Sequence, residues 1–253
     1  MNVLVEKKER TAFLTLERPP LNVLNLSMLR ELQAALDSLG PDGAVDFVVI
    51  RGGGTRAFSA GVDIKDHTRE MVPKMLRAVH GVIRSLFSLP QITIALVRGA
   101  CLGGGCELAS SCDLLLAAEE SFFATPEIQV GCYPPVALAR FPSELGYHRS
   151  AEMILTGRRI SAQEAAAMGL ANRVVPAEEL DRTLAALLDE LRAKSRAALR
   201  IALKGLRESA LKSFFSALER SEDLYLKELL ATEDVEEGVQ AFLEKRKPNW
   251  RHR

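Results

Sequence analysis

The sequence predicts an α/β fold that ends in a helical segment. Short apolar runs typical of buried strands alternate with amphipathic helical stretches over the first half of the chain. Strand-type runs become rare after residue 145, and the last 70 residues are rich in Ala, Leu, Glu, Lys and Arg. The 253 residues are enough to bury a core without disulfides or structural metals.

Two strands are expected at the start of the chain. Residues 3–7 and 11–16 are β-type runs separated by the polar residues 8–10, which predicts a hairpin. Pro19 and Pro20 should end the second strand, because proline has no N–H to donate to a ladder.

A helix and a buried strand come next. Residues 27–39 carry leucines at helical spacing, and Ser27 is the expected N-cap because its hydroxyl can accept from a first-turn amide. Residues 47–50 form an apolar run of the buried-strand type, closed by the glycines at 52–54.

A second unit repeats this pattern. Residues 74–86 form an amphipathic helix that should end before Pro90. Four strands and one short helix are then expected, with the strands at 92–97, 113–118, 122–124 and 173–175 and the helix at 106–112.

Composition and charge exclude several classes of protein. The 33 basic and 33 acidic side chains cancel, which disfavours nucleic-acid and anionic-membrane partners. No apolar run approaches the ~18 residues of a membrane span, and no secretory signal is visible, so we expect a cytoplasmic protein. The four cysteines lack metal-ligand spacing, and no metal, flavin or nicotinamide cofactor is indicated.

A glycine-rich turn is the first candidate site. Gly103, Gly104 and Gly105 follow a predicted strand and open a predicted helix. Amides at a helix N-terminus are unpaired and carry partial positive charge, so they can bind an anion or a developing oxyanion. The phosphate-loop and dinucleotide glycine patterns are both absent. A tight turn that needs positive φ is the alternative interpretation, and it stays open at this point.

Two acids stand in apolar surroundings near this turn. Glu107 lies in the first turn of the helix, and Glu127 follows Thr125 and Pro126 after a short strand. Burial would raise the pKa of both carboxyl groups, which suits general acid/base catalysis beside an oxyanion site. Alternatively, both are ordinary helix-start acids that complement the helix dipole.

Six segments together resemble the enoyl-CoA hydratase/isomerase (crotonase) superfamily over essentially the whole chain. They are residues 58–65, 98–107, 125–127, 154–162, 165–172 and 237–246. The resemblance implies a spiral of ββα units in residues 1–190 and a helical oligomerisation segment in residues 191–253. It also implies a homotrimer or a dimer of trimers.

The resemblance also implies a substrate and a site. The substrate would be an acyl-CoA thioester, with coenzyme A as part of the substrate and not a separate cofactor. The backbone amides of Val62 and Gly104 would form the oxyanion hole, and Glu107 and Glu127 match both glutamates of the hydratase branch. Coenzyme A would contact two further groups of residues, which are Ser59, Ala60, Asp63 and Ile64 near the first motif and Phe242 and Lys245 near the C-terminus. The C-terminal pair would reach the coenzyme A of a neighbouring subunit.

One segment departs from the family pattern. Where ordinary fatty-acid hydratases carry a glycine-rich helix start, this chain has Pro134 and Pro135 followed by Val136 and, two residues on, Leu138. Pro135 has no N–H, and the apolar side chains add bulk, so we expect a reshaped acyl pocket. This departure resembles hydratases of unusual acyl groups, including the cyclohexa-1,5-dienecarbonyl-CoA type. A neutral rebuild of the helix start is the alternative.

Two other functions compete with hydration. An isomerase of the same superfamily would use the same oxyanion hole, although the paired glutamates favour water addition. A non-catalytic acyl-CoA-binding or RNA-binding scaffold is disfavoured by the neutral charge and by the two acids. His80, Tyr133 and His148 are expected to be packing or surface residues.

Overall fold

The computed structural model describes residues 1–253 as two β-sheets surrounded by helices. The strands are β1 Val3–Lys8, β2 Thr11–Leu16, β3 Phe47–Gly52, β4 Ala57–Ser59, β5 Ile92–Val97, β6 Ala100–Leu102, β7 Leu114–Ala118, β8 Phe122–Ala124, β9 Ile160–Ser161 and β10 Arg173–Val175. The α-helices are α1 Leu26–Leu39, α2 Val72–Ser88, α3 Gly104–Ser110, α4 Pro135–Glu144, α5 Tyr147–Thr156, α6 Ala162–Met168, α7 Leu180–Arg192, α8 Arg196–Ala210, α9 Phe214–Lys227 and α10 Glu233–Leu243. Short 3₁₀ helices occur at Ile64–His67, Pro126–Val130, Ala177–Glu179 and Leu229–Ala231.

The chain winds as a spiral in which each turn adds one strand to each sheet. The larger sheet has the order β1-β2-β3-β5-β7-β10, and the smaller one has the order β4-β6-β8-β9. Strand pairs β3/β4, β5/β6 and β7/β8 are therefore successive turns, followed by α2, α3 and the 3₁₀ helix that leads to α4. The predicted α/β class and the spiral of ββα units are both confirmed.

The inner strands of the larger sheet, β3, β5 and β7, are buried on both faces, which explains their continuous apolar sequences. On β3, Val48 and Ile50 belong to the main core with α1 and α2. Phe47 and Val49 face the opposite side and pack with leucines of α7. Because successive side chains of a strand alternate between faces, a strand covered on both sides needs apolar residues at every position.

The first helix begins at a different cap from the one predicted. Asn25 has extended backbone angles, and its side-chain oxygen accepts from the Met28 N–H at 2.9 Å. Ser27 lies inside the first turn, where its hydroxyl donates to Glu31 at 3.2 Å. The prediction of Ser27 as the N-cap is wrong, because the chain enters the helix two residues earlier.

Three strands of the smaller sheet were not predicted, namely β4, β6 and the two-residue β9. β4 and β6 contain three residues each, which is too short for hydrophobic periodicity to show. The helix predicted at 106–112 also begins earlier, at Gly104, because Gly103 turns the chain with φ of 52° directly after β6. The short strands fix where the glycine turn lies.

The C-terminal helices pack on the spiral core of their own chain. The predicted boundary at residue 190 falls within α7, which still packs on the sheet, so the separate helical segment begins with α8. Arg207 of α8 donates to Asp113 at 2.6 Å and to backbone carbonyls in the last turn of α2 and just after it. α9 packs on α4, and α10 packs on the Pro126–Val130 helix. Subunit contact through this segment stays a prediction.

The four cysteines, Cys101, Cys106, Cys112 and Cys132, are all buried and form no disulfide. Among the helices, none combines the length and the apolar character required to cross a lipid bilayer.

Candidate active site

A cavity of about 640 Å³ lies at the carboxyl ends of the parallel strands of the smaller sheet. Residues that follow β4, β6 and β8 form one wall, and side chains from α2, α9 and α10 form the others. Parallel strands bring their carboxyl ends to one edge, which is where α/β folds place their ligands. The three motifs that the sequence analysis singled out therefore meet in one cavity.

Two backbone amides without acceptors face each other in this cavity. Gly61 O accepts from Leu24 N, and Asp63 N donates to Leu24 O, so the Val62 N–H between them is left unpaired. Gly104 is the first residue of α3 and has no intrahelical acceptor. A Cβ on Gly104 would lie 2.7 Å from Val62 Cγ2 and 3.6 Å from Val62 N. Only glycine permits this approach of the two amides.

Glu107 is held by the start of α4. Its side chain is 3% exposed, and its Oε1 accepts from Val136 N at 2.7 Å and from Ala137 N at 2.9 Å. Burial raises the pKa of Glu107, and the two amide hydrogen bonds oppose that rise because they stabilise the carboxylate. The N-terminus of a helix is a favourable place for a negative charge.

Glu127 has no such support. Its Oε2 is buried and has no hydrogen-bond partner. Burial, followed by the nearby charge of Glu107, raises the pKa of Glu127 to about 8. A Cβ on Gly103 would lie 2.6 Å from Glu127 Oε1, so this carboxyl group lies directly against the glycine turn.

The two carboxyl groups are therefore unequal at neutral pH. Glu107 has two amide donors that favour its ionised form, whereas Glu127 has none and is placed near the negative charge of Glu107. Like charges in a dry site disfavour double ionisation, so Glu127 is the carboxyl group that retains a proton more readily. This arrangement can accept a proton at one position and donate a proton at another.

A family model described as enoyl-CoA hydratase/isomerase matches residues 6–253. The chain belongs to this family. A probable enoyl-CoA hydratase of Mycobacterium bovis is 37% identical over 99% of this chain and 98% of its own length. The cyclohexa-1,5-dienecarbonyl-CoA hydratase of Thauera aromatica is 32% identical over 100% of this chain and 97% of its own length.

A solved structure of the same family has the same fold as this chain. The crystal structure of an enoyl-CoA hydratase from Mycobacterium avium subsp. paratuberculosis superposes with a TM-score of 0.89 at 28% identity, covering 99% of this chain and 98% of that one. Together with the full-length hydratase relatives, this makes the chain an enzyme of the enoyl-CoA hydratase type.

Within this hydratase-family fold, most of the residues expected at the site do line the cavity. They are Ala60, Val62, Ile64, Gly104, Glu107, Glu127 and Phe242. Phe242 lines the cavity of its own chain, because α10 packs beside it, and the expected contact with the coenzyme A of a neighbouring subunit stays a prediction.

Three expected coenzyme contacts do not line the cavity. Ser59 is fully buried, and its hydroxyl accepts from Gly61 N at 3.1 Å, which shapes the turn before Val62. Asp63 forms an ion pair with Arg18 at 3.3 Å. Lys245 is exposed, with φ of 54°, in the turn after α10. The structure gives Ser59 and Asp63 a role in holding the first motif in place.

The prolines before α4 are part of the cavity, but the bulk expected after them is not. Pro134 and Pro135 both line the wall, whereas Val136 is buried elsewhere in the core and Leu138 lies at the surface. The expectation that Val136 and Leu138 fill the acyl pocket is therefore wrong. The helix turns their side chains away and leaves the Val136 amide to Glu107.

The structure adds polar residues that the sequence analysis did not select. His80, Tyr225 and three arginines also line the cavity, the arginines being Arg158, Arg159 and Arg246. Arg158 and Arg246 are paired with acids, whereas Arg159 forms no ion pair and stacks over the Phe122 ring at 4.8 Å. His80 was expected to be a packing residue, because nothing near it in the sequence indicates a partner 142 residues away.

Proposed function

We propose that this enzyme adds water across the α,β double bond of an enoyl-CoA thioester. The observation that carries the proposal is the pairing of two unlike buried carboxyl groups with two unpaired amides in one cavity. Hydration needs a base for water, an acid for carbon and a site for negative charge on oxygen. The cavity offers all three.

The oxyanion hole polarises the thioester. The thioester oxygen accepts from the Val62 N–H and the Gly104 N–H, and these two donors stabilise the negative charge that develops when water adds. Loss of one such donor in comparable sites costs about 2.7–4 kcal/mol of transition-state stabilisation. The side chain of Val62 is not needed for this role, since only its amide acts.

The two glutamates divide the proton transfers. Glu107, which is ionised, takes a proton from water as the water oxygen bonds to the β-carbon. Glu127, which is protonated, gives its proton to the α-carbon as the enolate collapses back to the thioester carbonyl. One proton is accepted and one is donated, and transfer of a proton from Glu107 to Glu127 restores the starting state. General acid/base catalysis of this kind contributes roughly 10²–10⁴-fold.

The acyl group that we propose is alicyclic. Support comes from Pro134 and Pro135 in the cavity wall and from the similarity to the Thauera aromatica cyclohexa-1,5-dienecarbonyl-CoA hydratase. A crotonyl-CoA hydratase of Syntrophomonas wolfei is 34% identical over 98% of this chain, so a straight-chain substrate is the competing choice. Hydration of crotonyl-CoA as fast as the cyclic dienoyl thioester would exclude the alicyclic assignment.

Coenzyme A and the subunit contacts complete the proposal. Ala60, Ile64 and Phe242 would contact the coenzyme, and the unpaired charge of Arg159 at the cavity suits a phosphate.

The exposed apolar residues Ile201 and Leu206 of α8 support assembly into a trimer or a dimer of trimers. Analytical ultracentrifugation of the purified chain measures that state, and a monomer would contradict it.

Mass spectrometry of a panel of enoyl-CoA and cyclic dienoyl-CoA thioesters tests the function. We expect a gain of one water in the wild type and a loss of about 10²-fold or more in kcat for Glu107→Gln and Glu127→Gln. The exposed acid Glu120 provides the control, because Glu120→Gln changes the same group outside the cavity. Double-bond migration without water gain would indicate an isomerase, and binding without turnover would indicate a scaffold. Near wild-type hydration by both glutamate variants would overturn the assignment.

A further inference from the structure

His80 is a buried polar side chain that the hydration mechanism does not use. It lies on α2, is 3% exposed and lines the cavity. Its Nδ1 is 2.9 Å from Glu222 Oε2 on α9, whereas its Nε2 is buried and has no hydrogen-bond partner. A buried polar atom without a partner costs free energy, so a native site that keeps one is expected to satisfy it with a ligand.

Tyr225 presents a second unpartnered polar atom in the same cavity. Tyr225 is 1% exposed, and its hydroxyl has no nitrogen or oxygen partner, with only the weakly bonding Cys132 thiol beside it. Tyr225 follows Glu222 by three positions on α9, so the two residues lie on the same face of that helix. Because Glu222 holds His80, this spacing brings the imidazole and the phenol to one part of the cavity wall.

The rest of that wall is apolar. Met75, Leu76 and Val79 of α2 also line the cavity around His80. The neighbouring Tyr133 uses its hydroxyl to donate to Ser221 O at 2.8 Å, so it presents only its ring. His80 Nε2 and the Tyr225 hydroxyl are therefore two unpaired polar atoms in an otherwise apolar wall, with His80 close enough to Glu107 and Tyr225 close enough to Glu127 for electrostatic interaction.

The Glu222 contact fixes the tautomer of His80. The hydrogen bond from His80 lowers the pKa of Glu222, so this carboxylate is ionised and Nδ1 carries the proton that it accepts. In the neutral imidazole, Nε2 is then an acceptor and needs a donor from the ligand. Tyr225 can donate its own O–H to the oxygen of that same ligand group. A hydroxyl is the simple group that both donates and accepts.

We propose that His80 and Tyr225 bind a hydroxyl group on the acyl part of the substrate, so that the enzyme selects hydroxylated enoyl-CoA thioesters. The ligand hydroxyl donates to His80 Nε2 and accepts from the Tyr225 hydroxyl, which satisfies both buried atoms. The inference rests on the proposed hydratase function and names the class of acyl group. A purely hydrocarbon acyl chain would leave both atoms unpaired, and that penalty is the source of selectivity.

The test compares matched substrates that differ by one hydroxyl. Hexenoyl-CoA and cyclohexenecarbonyl-CoA are each assayed beside analogues that carry a hydroxyl or a ketone beyond the β-carbon. We expect kcat/KM for the best hydroxylated analogue to exceed that of its parent by at least about tenfold, which corresponds to one well-made hydrogen bond. The ketone should rank below the hydroxyl, because a ketone cannot donate to neutral Nε2.

Variants then assign the preference to the two side chains. His80→Phe and Tyr225→Phe should each reduce the hydroxyl-to-parent ratio toward one, and Glu222→Gln should weaken it by loosening His80. His80→Gln keeps a hydrogen-bonding group and should keep part of the preference if His80→Phe folds poorly. The matched control is His148→Phe, because His148 is an exposed histidine outside the cavity and its loss should leave the ratio unchanged.

The outcomes separate this inference from the proposed function. If no thioester gains water, the hydratase function fails. If the parents are hydrated as fast as their hydroxylated analogues, or if the ketones are preferred, the hydroxyl site is wrong while the hydratase function stands. A uniform loss for all substrates in His80→Phe would also overturn the inference, since it would make His80 a support for Glu107 and not a specificity residue.

Discussion

Glu107 and Glu127 show how the same side chain acquires different properties from its neighbours. Both are held in dry surroundings, but the amides of Val136 and Ala137 donate only to Glu107. Glu127 instead lies against Gly103 with one unpaired oxygen. The division of labour that we propose between base and acid rests on these contacts, because hydrogen bonds to a carboxylate favour its charged form.

The pH dependence of activity should follow from this difference. Glu127 must carry a proton to act as the acid, so kcat/KM should fall tenfold per pH unit above its pKa of about 8. Glu107 must be ionised, so activity should also fall on the acid side. Glu127→Gln, measured over the same pH range, should lose the alkaline decline together with most of its activity. A wild-type profile that stays flat to pH 10 would contradict this assignment of the acid.

Gly103 should tolerate no side chain. Its φ is 52°, and a Cβ there would lie 2.6 Å from Glu127 Oε1. Gly103→Ala should therefore displace the carboxyl group and lower kcat by about 10²-fold, as misplacement by about 1 Å commonly does. Steady-state kinetics measures the effect. Gly54→Ala is the matched control, because Gly54 also has positive φ, at 73°, but has nothing within 4 Å of the added Cβ. Equal losses of activity in both variants would point to backbone strain alone.

At the scale of the element, the ends of helices carry much of the site. Gly104 begins α3 and leaves its amide free for the oxyanion hole that we propose, and the first turn of α4 gives its amides to Glu107. Both ends rely on the three or four unpaired N–H groups that every helix start exposes. Longer helices and strands can be predicted from their hydrophobic periodicity. These two helix starts lie in short glycine- and proline-rich stretches that have no such periodicity, so their positions could not be predicted in this way.

The start of α1 allows a direct test of helix capping. Asn25→Ala removes the acceptor of the Met28 N–H and should lower the free energy of unfolding by about 1 kcal/mol. Ser27→Ala, two residues along, removes only a partly exposed contact with Glu31 and should cost a few tenths of that. Urea unfolding of both variants measures the difference. If Ser27→Ala lowered the free energy of unfolding more than Asn25→Ala, Ser27 would be the N-cap, as the sequence suggested.

On the scale of the whole molecule, the C-terminal segment completes the cavity of its own chain. α9 supplies Tyr225 to one wall and holds His80 through Glu222, and α10 lies across the Pro126–Val130 helix that carries Glu127. Gly238 makes this close contact possible, because a Cβ there would collide with the Val130 carbonyl. The last helix is therefore coupled to the position of the acid.

Gly238→Ala should loosen that contact. The added methyl group overpacks the contact between α10 and Val130, and overpacking of this kind costs about 1–3 kcal/mol. About 1.4 kcal/mol corresponds to a tenfold change in an equilibrium constant, so displacement of α10 from the cavity should raise KM for the acyl-CoA substrate by about tenfold. Gly205→Ala is the control, since Gly205 lies in α8 with nothing within 4 Å and its replacement should stabilise the helix. Steady-state KM and thermal unfolding distinguish the two. An unchanged KM in Gly238→Ala would show that α10 does not shape the binding cavity.

By itself, the sequence determined the α/β class, the hairpin, the long helices and strands, the glycine turn and the two acids, because each depends on local spacing or on a continuous motif. Tertiary structure alone decided which acid receives amide hydrogen bonds, that Ser59, Asp63 and Lys245 stay out of the cavity, and that Phe242 lines the cavity of its own chain. It also decided that His80 meets Glu222 across 142 residues. Desolvation, hydrogen bonding and cavity walls are set by neighbours in space, and those neighbours come from turns of the spiral that are far apart in the chain.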